Sequence, residues 1–524
     1  MAYKSLEACI QDLEKNGQLI RIKEEVDPYL EMASIQLRAY EKGASAILFE
    51  KVKGSEFRAL SNLFGDIDRS RFLFRDTMEM VQNIALLKKD PLLALKSPLK
   101  YISTPKHLYN ALPKKVSKRS AEFSETTIDK LPQITCWKKD GGPFITLPIV
   151  YTEDVDQPGW TKSNMGMYRI QLGGNDYIQN EEIGLHYQIH RGIGVHQSKA
   201  NAKGEPLKVS IFVGGPPALT FSAVMPLPEG MPELAFAGML GGKRMRYFKE
   251  DGYTVCADAD FVITGEVYPH DVKPEGPFGD HLGYYSLKHD FPVMKVHKVY
   301  HKKEAIWPFT VVGRPPQEDT SFGAMIHELA GDTIQMELPG VKAVHAVDAA
   351  GVHPLLFAIG SERYTPYVKE RYPAEILTQA NHILGFGQMS LAKFLFIAAE
   401  EDNKALNIDD EEAFVQHILE RVNWERDLHF YTKTSIDTLD YSGEGLNTGS
   451  KVVIAAAGEQ CRTLAHTFES INSFPSGITN IKLVAPGILA VSCTAFESYE
   501  KASTEIEGWA NSLKEYLGEQ ANSL

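Results

Sequence analysis

Leu6, Ile10 and Leu13 recur at helical spacing near the start of the chain, and the Asn16-Gly17 pair that follows is a turn signal. Leu19-Ile20-Arg21-Ile22 then reads as a short strand, Met32 to Ala39 as a second amphipathic helix, and Ala46-Ile47-Leu48-Phe49 as a buried strand. This alternation predicts a small α/β domain. From about residue 121 to 315 the pattern changes to short apolar runs between Gly/Pro clusters, among them Phe144 to Tyr151, Val209 to Val213 and Phe261 to Thr264. Many short strands punctuated by turn signals predict a barrel- or sandwich-like middle. After the Gly313-Arg314-Pro315-Pro316 break, a helical pattern leads into the buried strand Lys393 to Ala399, so the last third reads as α/β again. Ile506, Trp509, Leu513 and Leu517 place an apolar stripe on a terminal helix, suited to its own domain or to a dimer interface.

The 524 residues exceed one hydrophobic core, and about 150 residues per domain gives about three domains. The expected division is 1–120, an N-terminal α/β domain with a basic linker; 121–315, a β-rich domain; and 316–524, a C-terminal α/β domain. Hydrophobic residues at 43% and charged residues at 23% exclude disordered and fibrous classes. With 55 basic against 68 acidic residues the net charge is −13, which disfavours nucleic acid as a partner. Five cysteines without a CxxC pair exclude a disulfide framework and a cysteine zinc site. The first dozen residues carry no apolar signal stretch, and no run of about 18 apolar residues exists. The expectation is a cytoplasmic enzyme with at most peripheral membrane contact. Residues 91–121 contain no acid while Lys96, Lys100, Lys106, Lys114, Lys115, Lys118 and Arg119 accumulate. That stretch reads either as a solvated linker or as a surface for anionic substrate or lipid headgroups.

Four constellations carry candidate chemistry. His186, His190 and His196 have the spacing of a zinc-protease helix, but Tyr187 stands where the general-base Glu belongs. In Pro274-Glu275-Gly276-Pro277-Phe278-Gly279-Asp280-His281, Pro277 and Gly279 suit a type I turn that would fold two carboxylates toward one site. Two such carboxylates separate in proton affinity, so one stays ionised while the other moves a proton. Arg169, five residues after Asn164, suits an anion clamp. The Val213-Gly214-Gly215-Pro216-Pro217 loop exposes backbone groups that could hold a phosphate or a cation, or simply form a loop. No Rossmann or Walker glycine pattern is present.

Taken in order, these segments resemble the UbiD family of decarboxylases. The resemblance rests on Asn164 to Arg169, His190-Arg191-Gly192, the Pro-x-Pro-Glu-Gly stretch before Glu233, Glu275 to Asp280, Gly283-Tyr284-Tyr285, Thr310 to Pro316, and Gly449-Ser450-Lys451. It implies an α+β multidomain fold in which a central β-barrel-like, split-barrel flavin domain is flanked by N- and C-terminal α/β domains. It implies prenylated FMN held by Mn2+ (or Mg2+) and K+. Asn164, His190 and Glu233 would ligate the divalent ion, a donor set suited to it. Backbone carbonyls of Ala223 and Met225 would join Glu233 at potassium, and Met167, Tyr168, Arg169 and Lys451 would lie beside the cofactor. Arg169, Glu275 and Asp280 would form the catalytic network, with Asp280 as a proton donor of raised pKa. The implied reaction is reversible, non-oxidative decarboxylation of an aromatic or α,β-unsaturated acid, best of a 4-hydroxybenzoate type, including a polyprenylated one from a quinone pathway. A flavin prenyltransferase would supply the cofactor, and a homodimer or dimer-based hexamer would form through the C-terminal part, which would also close the pocket. Two alternatives stand beside this reading: a non-catalytic flavin- or phosphate-binding homologue, and a zinc metallohydrolase using His186, His190 and His196.

Overall fold

The computed structural model describes residues 2–187, 192–227, 231–351, 353–443, 445–468 and 474–523. The chain divides into two compact units. The first comprises Met1–Met336, Asp348–Val352 and Asp437–Tyr441, and the second Glu337–Val347, His353–Ile436 and Ser442–Leu524.

In the first unit, helices Leu6–Lys15 and Glu31–Glu41 alternate with strands Leu19–Val26 and Ala46–Val52, as the apolar spacing predicts. These two strands run parallel and continue through Arg58–Ser61 to a fourth strand, Ile306–Pro308, contributed from far along the chain. Next to it in sequence lies a nine-stranded sheet of mixed lengths, ordered Phe144–Ile145, Ile170–Gln171, Glu182–Leu185, His289–His301, Phe261–Glu275, Leu207–Val213, Ile149–Glu153, Ser163–Gly166, with Ser124–Thr126 also on His289–His301. Its pairings are antiparallel. Register shifts after Thr264 and Val267 curl the long central pair. Ile170, Leu185, Val209, Ile211, Ile263 and Met294 are fully buried, each contributing about 1.5–3 kcal/mol. The apolar run Phe144 to Tyr151 is two strands rather than one, because Pro148 has no N–H for a ladder and the Thr146 hydroxyl turns aside to accept from the Thr310 N–H at 3.0 Å.

Residues 91–121 form short helices, Leu93–Lys96 and Thr104–Asn110, and a strand, Lys114–Lys115, that joins Arg246–Glu250 and Tyr253–Cys256. The segment is therefore built into the first unit and is more than a linker. The second unit centres on a five-stranded sheet ordered Val341–Ala346, Leu355–Gly360, Phe394–Ala399, Thr448–Ala456, Leu428–Ser435. Helices Glu375–Leu384 and Glu411–Leu419 pack on it, and Ile478–Ala485 and Ile488–Cys493 form a separate hairpin. The terminal helix, Tyr499–Leu517, lays Trp509 over Gly477, where a Cβ would come 2.4 Å from its Nε1. Among the described residues no helix is long and apolar enough to cross a membrane.

Candidate active site

Arg169 lies between strands Ser163–Gly166 and Ile170–Gln171, with its carbonyl accepting the His186 N–H. Glu275 closes strand Phe261–Glu275, opposite His289. The Arg169 guanidinium donates from Nε to Glu275 Oε1 at 2.9 Å and from Nη2 to Oε2 at 2.8 Å. Its Nη1 donates to Asp280 Oδ2, and Nη2 also reaches the Ser286 hydroxyl at 3.2 Å. Its flat face lies 4.8 Å from the Phe278 ring centroid, a cation–π contact. Glu275 and Asp280 are both buried. Two buried carboxylates thus share one guanidinium, which stands between them.

The turn that carries them is held from outside. The Gly279 N–H goes to Asp140 Oδ1 at 2.8 Å instead of closing back on Gly276. Gly276 donates its N–H to Gln171 Oε1 at 2.9 Å, and its carbonyl accepts Asn175 Nδ2 at 2.7 Å. Gly276 has φ of 83°, which favours glycine, and a Cβ on Gly279 would come 2.1 Å from the Trp137 ring. The type I turn expected from Pro277 and Gly279 is replaced by these side-chain clamps. Burial pushes the Asp140 carboxyl up to about 6 despite the amides it accepts.

Asp280 Oδ1 accepts twice from His281, from Nδ1 at 2.7 Å and from the main-chain N–H at 2.8 Å. Burial pushes the Asp280 carboxyl up, but the His281 hydrogen bond, the His281 charge and Arg169 outweigh it and hold it well below the usual carboxylate range. Burial lowers the His281 imidazole, and the bond to Asp280 more than restores it, so its pKa is raised. The raised pKa expected for Asp280 is therefore reversed in this arrangement: the shared proton rests on His281.

A second cluster surrounds Ser163–Gly166. Glu233 opens helix Glu233–Leu240, and its Oε2 accepts the Met165 N–H at 3.0 Å. The Met167 N–H donates to the Ala223 carbonyl at 3.0 Å, and the Met225 carbonyl accepts from Leu227. Each carbonyl keeps a second lone pair for a cation. Asn164 Nδ2 donates to the Tyr168 hydroxyl at 3.2 Å, and Asn164 Oδ1 presses on Gly192, where a Cβ would lie 2.1 Å away. Burial pushes the Glu233 carboxyl up to about 7, since backbone amides are the hydrogen-bond partners that counter it. A half-buried carboxylate, an amide oxygen and paired carbonyls on one strand and helix end fit a cation site. His190 and Arg191, together with Pro228, Glu229 and Gly230 of the proline-rich stretch, lie outside the described residues. Lys451 belongs to the second unit, where its buried ammonium donates to the Ser390 carbonyl and burial lowers its pKa.

The zinc-helix alternative fails on geometry. His186 follows strand Glu182–Leu185 outside any helix, with its buried ring 4.2 Å from Phe291. His196 lies on helix Gly192–Lys203, and its Nδ1 meets the Thr152 hydroxyl at 2.8 Å. The two cannot share a helical face. The Gly214-Gly215 loop likewise serves structure, wrapping the buried Asp260, whose Oδ2 takes the Gly215 N–H at 2.5 Å. Sequence reasoning gave His281 no role and missed Ser286, Asp140 and Gln171. Only His281 carried a signal, its adjacency to Asp280.

Three family models match in succession. The 3-octaprenyl-4-hydroxybenzoate carboxy-lyase N-terminal domain covers residues 10–87, the Rift-related domain 111–315 and the C-terminal domain 320–456. An uncharacterized protein of Chlamydia trachomatis is 40% identical over 496 residues, covering 93% of this chain and 82% of that protein. A Chlamydia pneumoniae protein named as one of the subunits of 4-hydroxybenzoate decarboxylase is 41% identical over 459 residues, covering 86% and 75%. Among solved structures, the closed form of Sedimentibacter hydroxybenzoicus vanillic acid decarboxylase superposes with a TM-score of 0.73 at 23% identity, covering 99% of this chain and 100% of that one. The UbiD-class enzyme HmfF of Pelotomaculum thermopropionicum in complex with FMN gives 0.66 at 23%, covering 90% and 97%. An evolved dimeric form of the same enzyme with prFMN gives 0.63 at 22%, with the same coverage.

Proposed function

The chain belongs to the UbiD family of carboxy-lyases, and on that premise we propose that it catalyses the reversible, non-oxidative decarboxylation of an aromatic or α,β-unsaturated acid with prenylated FMN. The observation that carries this reading is the buried Arg169 guanidinium bridging Glu275 and Asp280. A binding-only homologue has no use for two desolvated carboxylates on one cation, because such a group is expensive to bury.

Asn164, His190 and Glu233 would hold Mn2+ or Mg2+, and Glu233 with the Ala223 and Met225 carbonyls would hold K+. The fit rests on the half-buried Glu233 carboxylate, which a cation would return to its ordinary ionised state. Met167 and Tyr168 would complete the cofactor environment within the first unit. When bound, prenylated FMN supplies the electron sink for the pair left as carbon dioxide departs.

The residues supply the rest. Arg169, fixed by Glu275, orients the substrate carboxylate and keeps the site charged without a mobile counterion. The bond from carbon to carboxylate breaks, and the proton held on His281 Nδ1, 2.7 Å from Asp280, passes to the Asp280 carboxylate, which hands it to that carbon. The substrate class we assign is a 4-hydroxybenzoate-type acid, including polyprenylated forms of a quinone pathway; the name of the Chlamydia pneumoniae relative supports it. Residues 121–315 are proposed as the split-barrel cofactor domain, residues 1–120 as its cover, and residues 316–524 as the part that oligomerises into a homodimer or dimer-based hexamer.

The test is co-expression with a flavin prenyltransferase followed by mass spectrometry of the bound cofactor and turnover of 4-hydroxybenzoate-type acids. Asp280→Asn should keep the cofactor and lose turnover. A protein that acquires no flavin-derived species, or a D280N variant with full turnover, would overturn the reading.

A further inference from the structure

Residues 92–112 show an inverted surface. Five of the seven exposed leucines among the described residues fall here: Leu92, Leu95, Leu99, Leu108 and Leu112. Leu95, Leu99 and Ile102 are 79%, 84% and 75% exposed. An apolar concentration of this kind on one short segment marks an interaction site rather than ordinary scatter.

The segment is fixed with these side chains outward. Tyr101 and Asn110 are its buried anchors. The Asn110 carbonyl sits against Gly238, where a Cβ would lie 2.1 Å away, so the segment is seated on the helix that begins with Glu233. Arg244 clamps its end, with Nε on the Leu112 carbonyl at 2.6 Å and Nη1 on the Tyr109 hydroxyl at 2.8 Å. The cations around the leucines are of one sign. Lys96 and Lys118 pair with Asp90 and Glu250, whereas among the described residues Lys100, Lys106, Lys114, Lys115 and Arg119 enter no ion pair and are exposed. The family models stop at residue 87 and resume at 111, so most of this surface lies outside the shared domains.

We propose that residues 92–112 dock on the surface of an anionic lipid bilayer, the leucines entering the interface and the lysines meeting the headgroups. Charge decides the occupant. The chain as a whole carries −13, yet residues 92–112 contain no acid and carry Lys96, Lys100 and Lys106. A second copy bound through the same face by twofold symmetry would set lysines against lysines.

The test is co-sedimentation of the cofactor-loaded full chain with vesicles of phosphatidylglycerol and phosphatidylcholine in equal parts, beside vesicles of phosphatidylcholine alone. Binding is expected to the anionic vesicles only and to fade when salt rises well above about 0.15 M, where the Debye length is about 8 Å. Leu95→Ser/Leu99→Ser and, separately, Lys100→Glu/Lys106→Glu should each weaken binding by about tenfold or more. All four positions are exposed, and unchanged circular dichroism and turnover of a soluble acid would check folding. No binding to anionic vesicles, or binding that both variants retain, overturns the proposal. So does a leucine variant that instead drops the assembly size in light scattering without vesicles, which would assign the face to a second copy.

Discussion

Arg169 and Glu275 meet side by side, Nε and Nη2 lying 2.9 and 2.8 Å from the two carboxylate oxygens of a fully buried Glu275. Two parallel charge-assisted bonds fix the plane of the guanidinium, and a lysine cannot reproduce that plane. Arg169→Lys should keep the charge and the fold but lower kcat by about 10²-fold, the scale of a misplaced electrostatic group. Arg169→Met should do more. It strands Glu275 and Asp280 in the interior, so chemical denaturation should register a loss of about 3–5 kcal/mol.

Asp280 and His281 hold one proton between Oδ1 and Nδ1. Because Asp280 is depressed, its stabilisation is present above the unfolded carboxylate pKa and lost as the pH falls through the folded value. Because His281 is raised, its share is complete below the unfolded imidazole pKa and lost as the pH rises through the folded value. Turnover that draws its proton from His281 should fall over that same alkaline limb. His281→Asn keeps a hydrogen-bond donor and removes the titration. A pH–rate profile of the variant should lack the limb, with the plateau lower by about 10²-fold. An unchanged profile would remove His281 from proton delivery.

Glu233 ties the cation proposal to one carboxylate. Protein stripped with a chelator should gain a few degrees in its thermal midpoint when Mn2+ or Mg2+ is returned at about 100-fold over Kd. Glu233→Gln should remove that gain, while its hydrogen bond from the Met165 N–H survives on the amide oxygen. Asn164→Asp, which keeps an oxygen donor and adds charge, should retain a metal-dependent shift.

The local elements were legible because their apolar spacing is decided by neighbours in sequence: Leu6, Ile10 and Leu13 are buried on one helix, and Ala46 to Phe49 on one strand. Arg169, Glu275 and Asp280 were legible as a set through family resemblance, and their contact is a fact of the fold. What sequence could not carry was the environment. The Asp280 proton affinity depends on His281 and on the sharing of Arg169, both fixed by the strands that converge there. Strand Ile306–Pro308 joins Arg58–Ser61 across more than half of the first unit's length, a pairing with no local signature. Asp140 reaches Gly279 by a similar leap.

Glu318 gives the last prediction, away from the chemistry. Its carboxyl is fully buried, accepts the Phe64 N–H at 2.6 Å and Gln36 Nε2 at 3.3 Å, and is pushed by burial up to about 7. An acid whose folded pKa is raised binds its proton more tightly when folded, so its contribution to stability is greatest at low pH and declines as pH climbs from the unfolded value to the folded one. Across that interval the decline is about 3 kcal/mol, at about 1.4 kcal/mol per pKa unit. Glu318→Gln cannot ionise, and its amide nitrogen can pair with the Gln36 Oε1, which has no hydrogen-bond partner among the described residues, once the Gln36 amide flips. Urea unfolding between about pH 5 and 8 should therefore show the variant gaining on the wild type as the pH rises, with the two closest at the acid end. A constant difference across the range would mean that Glu318 is already ionised when the protein is folded.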